Sequence, residues 1–392
     1  MNAMVKLGDI ATLITKGTTP TTLGFSFVDA GINFFKIECI DEDGHLLPLK
    51  FAHIDTHCHE ALKRSQLAEN DILFSIAGAI GRTAIVPPDY LPANTNQALA
   101  IIRIPADRYN LRYILFALQS GRVAEQFEKQ KQGVAQLNIS LKNISDIEIP
   151  MPPEYEQDRI VRILDHVNTQ ISNTRKQLVY IDQLVKSRFI EMFGSFPANP
   201  NSWPTGTIRD IVSEVRYGTS LPAVEGGAYP YLRMNNITYG GELDLTDIKR
   251  IDVPAEDLPK CTVRRGDVLF NRTNSRELVG KTCVYNRDEM MVLAGFVVRV
   301  RVNERMMPEF LSAFMNTDAS KRMLLGMCKT AIGQANINAQ ELQNIAIYVP
   351  PIELQQEFVA FKAQTDKSKL AVKQSLEKLE TLKKSLMQQY FG

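Results

Sequence analysis

Ile149-Pro150-Met151-Pro152-Pro153-Glu154-Tyr155-Glu156-Gln157 leads into residues 154–193, a stretch without a single Pro or Gly. The arrangement returns as Val349-Pro350-Pro351-Ile352-Glu353-Leu354-Gln355-Gln356, ahead of residues 352–391, which lack both residues as well. A proline in the first turn of a helix forfeits no hydrogen bond, so each double proline marks a helix start. Glu154, Glu156 and Glu353 complement the positive end of the helix that follows. Ile160, Leu164, Val167, Ile171, Thr174, Leu178, Ile181, Val185 and Met192 fall on a 4-3 spacing. Leu354, Phe358, Phe361, Thr365, Ser368, Val372, Ser375, Leu379, Leu382 and Leu386 do the same. A sustained 3.5-residue repeat predicts a supercoiled seam. Each helix would be ~60 Å long at ~1.5 Å per residue. Each seam is narrow and its counterpart lies one repeat away, which favours pairing within the chain.

Outward from the two helices, the whole chain reads as one unit written twice. Leu7-Gly8-Asp9-Ile10 and Lys16-Gly17-Thr18-Thr19-Pro20 return as Ile208-Arg209-Asp210-Ile211 and Tyr217-Gly218-Thr219-Ser220-Leu221-Pro222. Asp71-Ile72-Leu73-Phe74 returns as Asp267-Val268-Leu269-Phe270, and Gly81-Arg82-Thr83 as Gly280-Lys281-Thr282. Gln136-Leu137-Asn138-Ile139 is matched with Asn336-Ile337-Asn338-Ala339, and Glu156-Gln157 with Gln355-Gln356. The order is kept throughout, which chance similarity does not achieve. The expected organisation is a globular domain over 1–153, a helix over 154–194, a second globular domain over 195–351 and a second helix over 352–392. The linker Ser195–Pro204 is rich in turn formers.

Within the globular segments, short runs rich in Val, Ile and Phe predict strands at Asn33–Ile40, Ile72–Ile76, Thr83–Val86, Ala98–Ile104, Val268–Asn271, Thr282–Tyr285 and Val292–Val300. Helices are expected at Leu111–Glu128, where Gly121 is unfavourable, and at Pro308–Gly326. Runs of strands with late helices give an α+β (mixed α/β) class. The predicted fold is therefore two such domains separated by two long helices that form an antiparallel intramolecular coiled coil, with a pseudo-twofold internal repeat.

Composition restricts function less than architecture does. The 392 residues carry a net charge of +1, and residues 1–153 hold 14 Lys and Arg against 16 Asp and Glu. A protein that holds DNA by phosphate neutralisation alone usually shows a basic excess. Any DNA contact must therefore rest on local patches or on a basic partner. No apolar run approaches the length of a membrane span. Five cysteines with no CxxC pair fit a reducing cytoplasm.

Catalytic motifs are missing. Ser275-Arg276-Glu277-Leu278-Val279-Gly280-Lys281-Thr282 resembles a phosphate loop, but Ser stands where its first Gly belongs and Thr282 continues as strand. His45, His53, His57 and His59 lie near Cys39 and Cys58, yet the spacing fits no zinc module, and the second repeat lacks histidine there. Neither an adenine-methylation motif nor a glycine-rich cofactor loop is present.

Loops rich in Thr, Asn, Gln and Arg are the candidates for DNA contact, because base edges are read by their hydrogen bonds. In the first domain they are Thr18, Thr19, Lys36, Ser75, Arg82, Asn94, Asn96, Gln136 and Asn138. In the second they are Tyr217, Thr219, Arg233, Asn235, Asn236, Asn271, Arg272, Asn274, Arg276, Lys281, Asn336 and Asn338. The run Asn271–Arg276 stands out, with six polar residues directly after an apolar strand.

Taken together, the Gly17-Thr18-Thr19-Pro20 loop, the Asn70–Phe74 and Gly266–Phe270 strands and the Ile149–Gln157 helix start resemble the type I restriction-modification specificity subunits (HsdS) over essentially the full chain. That resemblance implies a non-catalytic subunit with two target-recognition domains on double-stranded DNA. It also implies two methyltransferase subunits that use S-adenosylmethionine, and restriction subunits that use ATP and magnesium. Two other readings remain open on the residues alone. One is a self-contained DNA methyltransferase or nuclease with duplicated domains, which S-adenosylmethionine crosslinking would expose. The other is a coiled-coil scaffold with no DNA role.

Overall fold

A computed structural model describes residues 3–128, 139–275, 277–328 and 335–392. The chain divides into two compact units, Met1–Arg175 with Gln374–Gly392, and Lys176–Lys373. The boundaries fall inside both long helices, so each unit owns half of each helix together with one globular part. The helices themselves run Glu154–Phe193 and Ile352–Phe391, as the spacing predicts. Among the described residues no helix is long and apolar enough to cross a membrane.

In unit 1 an antiparallel sheet has the order Leu13–Lys16, Leu99–Arg103, Ile72–Ser75, Thr83–Ile85. Its strands are apolar on both sides because both faces are covered. Ile72, Phe74 and Ile102 enter the cluster that holds Ile114, Phe116, Ile160, Leu164 and Phe391. Leu73 and Ile101 point the other way, against Phe35 and Ala84. A second sheet, Ala52–Ile54, Ile32–Phe35, Ala93–Thr95, includes one parallel pair. Ala3–Lys6 pairs with Glu148–Met151 and so ties the chain start to the approach of the long helix.

Unit 2 repeats the plan. Val212–Tyr217, Val297–Val302, Val268–Asn271 and Thr282–Val284 form one sheet; Lys249–Ile251, Tyr229–Leu232, Met291–Leu293 and Thr262–Val263 form the other. The core gathers Phe189, Phe193, Phe310, Phe314, Tyr348 and Phe358. In both units a buried aspartate salts a neighbouring strand to the turn before it. Asp71 pairs with Arg103 at 2.7 Å and accepts from the Ala68 amide, while Asp267 pairs with Arg301 at 2.8 Å and accepts from the Arg264 amide.

Several expectations are revised. The run Asn33–Ile40 is strand only to Phe35, then turns through a 3-10 helix at Ile37–Cys39. Val292–Val300 is two strands in two different sheets, Met291–Leu293 and Val297–Val302, broken at Ala294-Gly295-Phe296. The expected helix Leu111–Glu128 breaks after Leu118 and restarts at Gly121. Pro308–Gly326 breaks after Met315, and Thr317 caps the second piece by accepting from the Ser320 amide.

The helix starts explain their own motif. Gln157 is buried and donates to the Pro152 carbonyl at 2.8 Å; Gln355 is buried and donates to the Pro350 carbonyl at 2.9 Å. Gln157 therefore corresponds to Gln355, one residue off the register read from the sequence. Past the entrance the first helix buries Ile160, Leu164, Val167, Ile171 and Thr174 as expected. The second helix departs from its expected seam beyond Thr365, where Ser368, Ser375 and Leu382 are exposed. Lys369 is buried instead, with Leu376 and Lys383 part-buried, a shift of one residue. Ion pairs hold the two lysines of the shifted seam. Lys369 pairs with Asp182 and with Glu242 (2.6 Å) in unit 2, and Lys383 pairs with Asp43 (3.0 Å) in unit 1. Their aliphatic stems line the seam while their ammonium groups reach carboxylates. Inside unit 2 the two helices are antiparallel, since Asp182 meets Lys369 and Arg188 meets Glu357. In unit 1 Arg175 meets Glu380, and Phe391 packs near Ile160 and Leu164.

Candidate nucleic-acid interface

In unit 2 the strand Val212–Tyr217 ends at Tyr217 and is followed by Gly218, where a Cβ would collide with the Leu293 and Ala294 carbonyl oxygens. Only glycine lets the loop lie this close. Thr219 then donates its amide to Leu293 O, and Gly295 donates back to Thr219 O, both at 2.7 Å. This pairing presents Phe296 to solvent, 52% exposed. Arg272 is fastened to the same place, because its amide donates to Phe296 O at 3.0 Å and its carbonyl accepts from Ile337 N at 2.9 Å. Its guanidinium lies over the Tyr217 ring, 4.9 Å from the centroid. The Tyr217 hydroxyl accepts from the Ala339 amide at 2.9 Å, which fixes the ring. Thr273–Asn274 pairs with Ala335–Asn336, bringing exposed Asn336 and half-buried Asn274 to the same edge. Of the DNA-contact candidates, Tyr217, Thr219, Arg272, Asn274 and Asn336 are thus brought together at one edge. Phe296 was missed, because an aromatic inside an apolar run reads as core.

The other candidates of unit 2 lie elsewhere or inside. Arg233 pairs with Asp247 at 2.9 Å beside exposed Asn235. Asn236 is buried and donates to the Asp244 carbonyl, and its oxygen accepts from Arg233 N. Lys281 is buried and donates to the Met234 carbonyl at 2.7 Å; burial pushes its ammonium below the usual lysine range. Asn271 is fully buried, its oxygen accepting from Thr273 N while its Nδ2 has no partner among the described residues. Asn338 is a helix cap, accepting from the Gln340 and Glu341 amides at 2.9 Å. These side chains fasten turns and offer little to a base edge. Arg276 lies outside the described residues.

In unit 1 Gly17 matches Gly218, and a Cβ there would collide with Thr95 O and Asn96 O. Thr18 donates its amide to Thr95 O at 3.1 Å, and half-buried Thr19 bonds through its hydroxyl to Gln97, an exposed residue the sequence reading omitted. Lys36 lies 4.3 Å from the centroid of the Phe27 ring. Ser75 is fully buried, donating to Ala79 O and accepting from Arg82 N. Arg82 donates to the Ile40 carbonyl, Asn94 is buried between Leu62, Ser65 and His59, and Asn96 accepts from the Ala98 amide. Gln136 and Asn138 lie outside the described residues. The repeat register also moves here. Ile139 N donates to Ile76 O as Ile337 N donates to Arg272 O, so Ser140, the next helix cap, is the counterpart of Asn338. The histidines are dispersed among other partners, His45 on Asp41, His57 edge-on to Phe25 and His59 on Asn94.

With equivalent backbones aligned in this way, Lys16, Ile76 and Ala98 of unit 1 occupy the places of Tyr217, Arg272 and Phe296 in unit 2. The scaffold is shared and the surface it presents is not. The family model for the type I restriction modification DNA specificity domain matches this chain twice, over residues 2–181 and 200–382. The chain belongs to that family. Relatives within it include the EcoKI specificity subunit of Escherichia coli K12, 24% identical over 65% of this chain, and the putative MjaX specificity subunit of Methanocaldococcus jannaschii, 26% identical over 49% of it. The matches span 59% and 46% of those proteins' lengths, respectively. A chain from a structure of type I restriction-modification assembly and conformational transition shares the fold at TM-score 0.59 and 19% identity, covering 99% of this chain and 97% of that one. The S subunit from M. genitalium follows at TM-score 0.51 and 14% identity, covering 100% and 96%. Two family domains, each ending on a long helix, agree with the α+β repeat expected from the sequence.

Proposed function

We propose that this chain is the sequence-specific DNA-binding subunit of a type I restriction-modification complex. Each globular part reads one half of a bipartite, asymmetric site on double-stranded DNA. The long helices set the spacing between half-sites and dock two methyltransferase subunits, and the assembly also takes restriction subunits. Chemistry belongs to the partners, which bring S-adenosylmethionine, ATP and magnesium, and the complex works in the cytoplasm. The observation that carries the reading is the contrast at two equivalent backbone positions, Ile76 and Lys16 in unit 1 against Arg272 and Tyr217 in unit 2. Two identical readers would specify a symmetric site, whereas two different surfaces on one scaffold specify two different half-sites. The curated relatives, which bear the name specificity subunit, support the same assignment.

The test is to map methylated bases in cells with and without this protein. A bipartite motif with unlike halves should vanish when the chain is removed. Methylation that persists unchanged, or methyl transfer by the highly purified chain alone, would defeat the proposal.

A further inference from the structure

We propose that Arg272, held on the face of Tyr217, reads a guanine in the half-site of unit 2, and that Tyr217 is its positioning residue. The inference rests on the DNA-reading function above and adds the base and the device that selects it. Arginines of unit 2 are mostly consumed by the protein itself. Arg216 pairs with Glu214, Arg233 with Asp247, Arg265 with Asp288 and Arg301 with Asp267. Arg272 has no carboxylate partner among the described residues. Its Nε donates to Thr273 Oγ1 at 3.3 Å, and its two terminal nitrogens have no hydrogen-bond partner among the described residues.

A guanidinium in that state is a prepared reader. The Tyr217 ring lies under the guanidinium, 4.9 Å from its centroid, and confines it by cation–π attraction, while the Ala339 amide on the Tyr217 hydroxyl fixes the ring. The two terminal nitrogens then form a fork, and guanine is the base that offers two acceptors, O6 and N7, on its major-groove edge. Holding the fork in advance lowers the side-chain entropy lost on contact. A phosphate contact would need none of this, since a freely rotating Lys serves there. The neighbours suit a base edge as well: Asn336 and Phe296 are exposed beside it. Unit 1 carries Ile76 at the same backbone position, so its half-site is read by different chemistry there.

The experiment uses the full chain assembled with its methyltransferase subunits and a DNA library randomised through the second half-site. The wild-type complex is expected to demand G·C at one position of that half. Arg272→Ala should lose ~5–150-fold on that sequence and become indifferent to the base there, with the first half-site unaffected. Arg272→Lys should not restore the preference, because charge is kept and the fork is lost. Tyr217→Leu should weaken the same preference and no other. The inference is overturned by a uniform loss across all sequences that Lys rescues and that lowers the salt slope by about one, which marks a phosphate contact. Unchanged selection in Arg272→Ala overturns it too. A wild-type complex with no sequence preference would instead defeat the broader DNA-reading function.

Discussion

Glu242 offers a way to measure what the acidic loops do for the helices. It lies in unit 2 directly after the tight turn at Gly241, where φ is +85° and a Cβ would collide with Asn316 and Thr282. Its carboxylate meets Lys369 at 2.6 Å and Lys373 at 2.8 Å. Burial would push the Glu242 carboxyl up; hydrogen bonds and charge from Lys369 and Lys373 outweigh it and leave it below the usual range. Glu242→Gln keeps the shape and removes the charge. The Lys373 pair is solvent-exposed and is worth ~0.2–1 kcal/mol. The bond to buried Lys369 is stronger, ~1.5–3 kcal/mol for a charged partner, but Asp182 still neutralises that lysine and Gln can still accept. The expected cost is therefore ~1–2 kcal/mol. Lys369→Met should cost less, because the carboxylates it leaves behind are partly solvated and Met fills the seam. Combining the two should show a coupling of ~1 kcal/mol. Trp203, the single tryptophan, lies in unit 2 with its Nε1 donating to the Phe193 carbonyl, so its fluorescence reports urea unfolding of this unit. A folded-state pKa below the unfolded value of ~4.3 makes the Glu242 contribution fully present above that pH and lost as pH falls through the folded value. Wild type and Glu242→Gln should converge in acid. A change under ~0.3 kcal/mol at neutral pH with zero coupling would refute the reasoning.

Two further pairs of substitutions probe the repeated scaffold. Gly17→Ala and Gly218→Ala place a Cβ against carbonyl oxygens that cannot move without breaking strand pairing, so each should destabilise its own unit by ~2–3 kcal/mol or more in urea unfolding; a neutral result would mean the loops are not held this close. Gln157→Leu should cost ~1 kcal/mol and Gln355→Leu more, ~2–3 kcal/mol, because Gln355 also accepts from the Met307 amide and donates to the Arg305 carbonyl; both should speed amide exchange in the first turn of the adjoining helix, and unchanged exchange would show that the proline carbonyls find other donors.

The two helices and the repeat were legible because they rest on long-range regularities: absence of Pro and Gly, a 4-3 spacing and conserved order of segments. Breaks in those regularities were less visible. The run Val292–Val300 is apolar throughout, and nothing in its hydrophobicity says that Gly295 ends one strand and the next joins another sheet. The seam of the second helix slips at Lys369 because a lysine stem can line a seam when carboxylates wait beyond it, and the 4-3 pattern scores only apolar residues. At the interface, polar residue type was a blunt guide. Asn and Ser read bases, but they also fasten turns to their own backbone. Ser75, Asn94, Asn236 and Asn338 are fasteners of that kind, and composition cannot separate them from Asn336. The run Asn271–Arg276 reads as uniformly polar in the sequence, yet it mixes a buried Asn271 with a half-buried Arg272.

The near-neutral charge takes on a different meaning once the pairs are counted by place. Arg103, Arg175, Arg301 and Lys369 are spent on Asp71, Asp43, Asp267 and Glu242, inside sheets or along helices. Those cations hold the scaffold together and cannot also neutralise phosphates. Sequence preference does not require many free charges, because base contacts specify while phosphate contacts position. Under the proposed DNA-reading function, a few donors on a rigid edge, Arg272 foremost, would suffice for discrimination, and binding strength would come from basic surface on the proposed partner subunits. The isolated chain should therefore bind DNA weakly with a shallow salt dependence, and assembly should steepen that slope while leaving base preference unchanged. A steep slope for the chain alone would place the phosphate contacts here after all.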